Sequence, residues 1–555
     1  GNIIAYDAAV MARDYNGALV VCDSVKDVFD NMRYTMAALF IIVGLLVCYS
    51  AVSRMVYEKS VLIGTKKALG LFDREVTLSE LSFTLLAAVT GSILGVLLGR
   101  FVLETVFLEV ISDQFVFENQ EFYFSLKDTL IIVAVELGTI IVTTLFACNK
   151  VLKKSAVKLL QGAEPPKAKE RFFERTALWK RLPLLTKTIV NNCLNDKRRC
   201  FGTIVGVAGC TSLIVCSVTL YDGINNSIKR QFDNITTFDT IVYIDDSVED
   251  SAEKITSALD ESKIEYSKIY FQPGSMHLPN DRQIIGEIMV PLDDSFYKYI
   301  HMVDDNGVEK KIKKDAWVCK SYAYYFKAKP GDNVEFVDGV GTVHNFKMEN
   351  TAEYYLTRTA TFASKEAFEK AYGYEAKTNA IVFNKGDVSI VKLTELLKDK
   401  PGFIAIQDYY YDGATEFEVY SLVTLVVVVV YLILSIVMAF LVLLNLFSMF
   451  VSEKKKELIV LMINGFYEKD AKKYIYLDTI VLTIIGMIAG IALGSFVGFK
   501  TMQTFVTEAT YFILTPDPIA MVAGVVVTAV LIVITTLIAL KRVSSFKLTD
   551  INSEK

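Results

Sequence analysis

Three histidines in 555 residues leave little imidazole for metal-dependent or acid–base chemistry. His277, His301 and His344 stand apart, with neither HExxH nor any other zinc-ligand spacing, and ordinary surface or strand positions account for them. None of the eight cysteines forms a CxxC pair, which excludes zinc ribbons and thioredoxin-like redox sites. No GxxxxGK[ST] loop occurs, so nothing in the chain cradles nucleotide phosphates. The acidic residues form no paired constellation fit for general acid and base work. The opening Gly-Asn-Ile-Ile has no initiator Met, basic n-region or cleavage signature. The expectation is therefore a non-catalytic chain that opens inside a longer protein.

What the sequence has instead is long uncharged runs. Mean hydropathy is +0.38 and 52% of residues are hydrophobic, more than a soluble core needs. A membrane span takes about 20 apolar residues, and seven runs qualify: residues 34–54, 81–108, 128–148, 201–221, 419–450, 475–498 and 519–540. Arg100 and Glu104 place the apolar end of the second near Gly99. One such run is compatible with a buried soluble helix; seven are not.

Basic residues collect in cytoplasmic loops. Segment 149–200 holds 14 Lys/Arg against four Asp/Glu, and Lys59, Lys66 and Lys67, Lys454 to Lys456, and Lys541, Arg542 and Lys547 fall on the same side of alternate runs. Segment 222–418 holds 34 acidic and 23 basic residues, a net −11 that outweighs the +6 of the remainder. Residues 1–33 and 222–418 are thus expected outside, and 55–80, 149–200, 451–474 and the C-terminus in the cytoplasm. Of the cysteines only Cys22 and Cys319 fall outside, and two free thiols are expected there rather than a disulfide framework.

An internal repeat organises the spans. Shifting the sequence by 395 positions superposes 56–102 on 451–497 with 12 identities over 47 positions and no gap. Glu58 and Lys59 fall on Glu453 and Lys454, Gly70 on Gly465, and Gly91, Gly95 and Gly99 on Gly486, Gly490 and Gly494. Apolar composition alone would not align four glycines. At a shift of 392, Thr143, Thr144, Leu145 and Val151 fall on Thr535, Thr536, Leu537 and Val543. Each copy reads as span, cytoplasmic helix, glycine-rich span, outer loop, span and basic tail, with 201–221 as one extra span. Glycines at i, i+4 and i+8 form a smooth stripe on which another helix can pack closely. The cytoplasmic segments 57–72 and 452–467 each start at Glu-Lys and stop at glycine, a fitting C-cap. Their residues suit equally a helix lying on the lipid surface and a handle for a cytoplasmic partner.

Segment 58–70, EKSVLIGTKKALG, resembles the cytoplasmic helix of FtsX/MacB-type ABC transporter permeases. Residues 155–165, SAVKLLQGAEP, resemble the tail that closes an FtsX domain. Trp317 to Ala323, Lys329 to Asp332 and Val334 to Phe336 resemble a MacB-like outer segment. The second copy departs from the pattern at Met462-Ile463-Asn464. The resemblance implies an α-helical membrane protein of two three-helix FtsX repeats plus one extra span, with an α+β extracytoplasmic domain. Its implied divisions are 1–33, the end of an outer domain; 34–163, the first FtsX domain; 164–200, a basic linker; 201–221, the extra span; 222–418, the MacB-like domain; and 419–555, the second FtsX domain. It implies coupling helices bearing Glu58, Lys59, Gly70, Glu453, Lys454 and Gly465 that sit on a dimeric cytoplasmic ABC ATPase. Hydrolysis then moves an extracytoplasmic domain instead of opening a central pore. The ATP-Mg belongs to that partner; this chain carries no cofactor. A bacterial, Gram-positive plasma membrane and an extracytoplasmic substrate or partner protein complete the expectation, with no nucleic acid. A scaffold that activates an external cell-wall hydrolase is the alternative reading. A conventional transporter predicts polar residues lining several spans, and among them only Glu136 clearly qualifies. Glu136 is expected to hydrogen-bond a neighbouring span, and Asp478 to be interfacial.

Within 222–418, strands are expected at 238–245, 266–271, 284–291 and 380–383, and helices at 364–372 and 388–397 with Asp387 as a cap. The tyrosines at 322, 324 and 325 fit sheet packing or a ligand site, and 409–411 precede a helical stalk into the fifth span.

Overall fold

The computed structural model describes residues 59–112, 125–160, 197–277, 283–355, 359–453 and 468–541 without 509 and 516, plus scattered positions between 26 and 56. They fall into two compact units, a helical one (drawn from Thr35–Thr219, Val426–Gly498 and Asp517–Lys555) and a sheet one (drawn from Leu220–Leu425 and Phe499–Pro516).

The principal helices are α1 (Ser60–Ala68), α2 (Asp73–Leu98), α3 (Leu126–Leu152), α4 (Lys197–Lys229), α5 (Tyr409–Glu453), α6 (Glu468–Phe505) and α7 (Pro518–Lys541). Among the described residues six stretches are long and apolar enough to cross a membrane, and they coincide with α2 through α7. The remaining expected span, 34–54, lies only in part within the described residues. In hydrocarbon the backbone must satisfy itself, so such runs become helices.

Helix α2 starts earlier than its apolar run. The Glu75 carboxylate accepts from the Phe72 N–H at 2.9 Å, and Asp73 and Glu75 complement the first-turn dipole. At the far end the chain does not break at Gly99 but continues as a π-helical turn, Gly99–Leu103, holding the Arg100–Glu104 ion pair. Helix α2 buries every fourth residue, Val76, Glu80, Thr84, Ala88 and Ser92. Hydroxyls on this face meet α3: Thr84 Oγ1 lies 3.1 Å from Thr144 Oγ1, and Ser92 Oγ donates to Glu136 Oε2 at 2.8 Å. The intramembrane carboxylate thus has the interhelical partner expected of it.

Helix α4 contains the expected extra span and is the hub of the second repeat. Within its most apolar window 72% is buried, against 17–28% in the other five. Val207, Cys210 and Ile214 share a core with Ala439, Leu443 and Phe447 of α5 and Ile532 and Ala539 of α7. At 1.5 Å per residue, the 33 residues of α4 and the 45 of α5 exceed the roughly 30 Å of hydrocarbon. Both continue into the sheet unit, as does α6.

Among the described residues the sheet unit has nine strands: β1 (Thr240–Ile244), β2 (Tyr266–His277), β3 (Gln283–Pro291), β4 (Ala316–Cys319), β5 (Asn333–Val337), β6 (Val343–Ala352), β7 (Thr359–Ala363), β8 (Ala380–Phe383) and β9 (Phe403–Asp408). Strands β2-β3-β7-β4-β6-β5 close into a ring because β5 returns to β2, and β8, β1 and β9 extend from the first half of β2. Closure needs a backbone without a side chain: a Cβ on Gly274 would lie 2.4 Å from Val337 O and 2.5 Å from the Phe336 ring. Trp317, Phe336, Phe346 and Phe362 are fully buried aromatics of the ring strands. Helices Ser251–Glu261 and Ile390–Leu397 cover the extension through Ile255, Leu259, Leu393 and Leu397.

The four expected strands and two expected helices are present with adjusted ends. The cap of Ile390–Leu397 is Ser389, whose Oγ accepts from the Lys392 N–H, and not Asp387, which lies too early to reach the free donors. Tyr322, Tyr324 and Tyr325 sit on a short helix, Lys320–Phe326, and not in the sheet. Strands β4 to β7 and β9 are too short or too polar on one face to stand out by pattern.

Candidate functional site

Lysines and two carboxylates, Glu80 and Asp73, fix helix α1 to the helical unit. Glu80, 3% exposed, receives Lys59 Nζ at 2.8 Å and Lys66 Nζ at 3.6 Å. The Lys59 ammonium also lies 4.8 Å above the Phe83 ring. Lys67 donates to Leu152 O at 2.7 Å and pairs with Asp73 at 3.0 Å. On the same face Ile63 is buried, and Gly64 admits helix Ala156–Leu160 so closely that a Cβ would lie 2.9 Å from Leu159 Cβ. A carboxylate this buried is stable only because it is paired.

Gly70 ends the helix at φ +91°, with its N–H on Lys67 O and the Leu71 N–H on Lys66 O, both at 3.1 Å. That left-handed cap is a glycine position on backbone grounds, since an added Cβ would meet open space. The opposite side of α1 and its cap is apolar and bare: Val61, Leu62, Leu69 and Phe72 are 50%, 52%, 77% and 74% exposed.

Of the residues expected in coupling, Lys59 and Gly70 therefore hold and terminate α1. Glu58, Lys454 and Gly465 lie outside the described residues, and Glu453 is the last residue of α5. The two glycine stripes differ. An added Cβ would lie 2.8 Å from Val207 Cβ at Gly486, 2.5 Å from Thr211 Cβ at Gly490, and 2.8 Å from Ser212 O at Gly494, so α4 is seated directly on the stripe of α6. At Gly91, Gly95 and Gly99 no described atom would come within 4 Å.

Sequence reasoning missed Glu80, Lys66 and Lys67 as anchors, and the face of α4 that fills the second stripe. A signal existed for the latter: Val207, Thr211, Val215 and Thr219 recur every fourth residue, the period of the glycines. Elsewhere, each histidine faces a carboxylate: His277 with Glu335 at 2.6 Å, His301 with Glu309 at 2.7 Å and His344 with Asp338 at 3.0 Å. Among the described residues no group of three or more His, Cys, Asp or Glu is placed to hold a metal. Cys319 is a buried free thiol, and Cys22 lies outside the described residues.

Comparison with known proteins rests on family rather than on individual relatives. No curated protein matches the chain. Residues 34–156 and 429–548 each match the FtsX-like permease C-terminal model, two matches that coincide with the two copies of the repeat. With two such domains on one polypeptide and, among the described residues, six helices fit to span a bilayer, the chain is a multi-pass membrane protein carrying two domains similar to those of the FtsX-like permeases, membrane subunits of ABC-transporter type.

Proposed function

We propose that a separate cytoplasmic ABC ATPase, binding ATP-Mg and acting as a dimer, drives this permease by pushing on α1. The observation that carries the reading is the division of α1 into a face fixed by Glu80, Asp73 and Leu152 O and a bare apolar face at Val61, Leu62, Leu69 and Phe72. A helix held by ion pairs and capped at Gly70 transmits a push, whereas one held only by lipid would tilt. The segment at 452–467 is the second contact point, with Glu453, Lys454 and Gly465 in the register of Glu58, Lys59 and Gly70.

The charge distribution supports a topology with 222–418 outside a bacterial plasma membrane and the C-terminus inside. The compact sheet unit with its own nine-stranded sheet suits a machine that moves an outer domain rather than one that opens a pore. Substrates of this action are a lipid, a peptide or a lipoprotein at the outer surface.

Introducing charge at Leu62→Asp together with Phe72→Asp tests the reading. Co-purification with the ATPase and permease-stimulated ATP turnover should both fall by about tenfold or more, while the variant remains monodisperse. Undiminished turnover in that variant, and again after deletion of 57–72, would remove α1 as the docking element.

A further inference from the structure

We propose that Glu353, Tyr354 and Tyr355 form a node that binds the ends of α4, α5 and α6 to the barrel. The tripeptide leaves β6 directly, with its first N–H on Val303 O at 2.9 Å. The side chain of each residue serves a different helix, and all the contacts lie within the sheet unit.

Glu353 serves α4. Past Lys229 that helix widens into a π-helical segment, Arg230–Ile235, and Arg230 Nε donates to Glu353 Oε2 at 2.7 Å. The next side chain, Gln231, is fully buried; its Oε1 accepts the Tyr355 N–H at 2.8 Å and its Nε2 donates to Thr236 Oγ1 at 2.8 Å. Tyr354 serves α5. Its hydroxyl donates to Glu287 of β3 and lies 3.2 Å from the hydroxyl of Tyr409, the first residue of α5, which itself reaches the same carboxylate at 3.3 Å. Phe238 packs on Tyr409 with ring centroids 4.6 Å apart.

Tyr355 serves α6 through the loop that follows it. Its ring lies 6.1 Å from that of Tyr511, which also meets Tyr324 at 5.7 Å and lies under the Lys320 ammonium at 5.2 Å. The loop is tied back to α4 by the Ile513 N–H on Ser227 Oγ at 2.8 Å, and Gly223 brings α4 so near α6 that a Cβ would lie 2.5 Å from Met502 Cε.

Simple core packing does not call for this chemistry. Glu287 and Glu353 are 2% and 8% exposed, and burying a carboxylate is costly unless its partners are placed. Apolar side chains slide past one another; a buried carboxylate paired with a half-exposed guanidinium and a carboxylate shared by two hydroxyls each have one geometry. Three helix ends that meet on three adjacent residues are held to the barrel together.

The node deepens the ATP-driven reading and rests on it, so the test has two arms. In the first, the full chain in nanodiscs is followed by amide hydrogen exchange without nucleotide. Arg230→Glu or Glu353→Arg should each accelerate exchange about tenfold in 351–355, 222–235 and 499–515 together, and the exchanged pair Arg230→Glu with Glu353→Arg should restore it. Tyr354→Phe, which keeps the ring and loses the hydroxyl, should accelerate the start of α5 alone. Acceleration confined to the mutated helix, or no restoration in the exchanged pair, overturns the node. In the second arm the ATPase and ATP-Mg are added. The wild-type sheet unit should change its exchange, and the single variants should lose that change while hydrolysing ATP within about twofold of wild type. Single variants that respond as wild type also overturn the node, whereas a wild type silent to ATP overturns the driving reading and leaves the first arm to decide the node.

Discussion

Helix α2 with the π-helical turn that continues it, and helix α6, share three glycines at the same spacing and in the same register of a repeat, and their surroundings differ completely. Along α6 the stripe is filled by α4, whose Val207, Thr211 and Val215 sit where glycine side chains would be. Along α2 no described atom approaches the stripe, and the helix instead packs through Glu80, Thr84 and Ser92 on its other face. Spaced glycines mark a surface that a helix can approach; occupancy depends on a neighbour with small or β-branched residues at the matching period. Such residues lose little rotamer freedom on packing, which suits them to a lipid setting where the hydrophobic effect does not drive association. The copies also differ in charge. Glu80, Lys66 and Lys67 of the first correspond to Ile475, Leu461 and Met462 of the second. The electrostatic anchor of α1 therefore has no sequence counterpart in the second copy.

The largest expected effect breaks the occupied stripe. In Gly490→Leu the new Cβ alone would lie 2.8 Å from Ala208 O and 2.5 Å from Thr211 Cβ, and the carbonyl belongs to helix backbone that cannot step aside. A loss of about 3 kcal/mol or more is expected, at the upper end of overpacking costs. It should be read as a fall in melting temperature, or as failure to recover monodisperse protein.

Next comes the anchor that only the first copy has. Glu80→Leu leaves Lys59 and Lys66 without their shared partner, at a cost of about 1–3 kcal/mol. Exchange in 60–69 should quicken while exchange along α6 is unchanged, which would separate the two copies by dynamics as well as by packing. Equal quickening in both would show that the anchor is not local. A smaller effect, about 0.6 kcal/mol, is expected of Ser92→Ala, which removes the span-to-span hydrogen bond to Glu136.

Acid should loosen one turn of the sheet unit, around Asp304. The Lys310 ammonium, aided by the Val308 and Asn306 N–H groups, holds the Asp304 carboxyl below its ordinary range. A depressed carboxyl contributes stability that is complete above its unfolded pKa and is lost as pH falls through the folded value. Exchange in 301–310 should therefore quicken as pH falls below about 4, and Asp304→Asn should remove most of that pH dependence.

The membrane half was legible in the sequence because hydrocarbon imposes one rule, the uninterrupted apolar run, and because duplication placed Gly70 over Gly465 and Gly91 over Gly486. The strands at 266–271 and 380–383 were legible for a related reason, their β-branched and aromatic content. The anchors were not. Glu80 lies seven residues into an apparently soluble approach to a span, and nothing local says that Lys59 and Lys66 will converge on it from another helix. The node was equally hidden, because Arg230, Tyr409 and Tyr511 reach 353–355 only through long-range closure of the barrel.

The smallest expected effect is the one that most sharpens the comparison. Gly95→Leu adds a large side chain to a stripe where no described atom would lie within 4 Å of its Cβ. Lipid yields to a side chain as helix backbone does not, and leucine forms helix more readily than glycine by up to about 1 kcal/mol. The variant should therefore melt at or slightly above the wild-type temperature, in the same measurement in which Gly490→Leu fails. A loss approaching that of Gly490→Leu would mean that a helix does sit on the first stripe in the membrane. The two copies would then be alike in occupancy, and the asymmetry between them would reside in the charge around Glu80 alone.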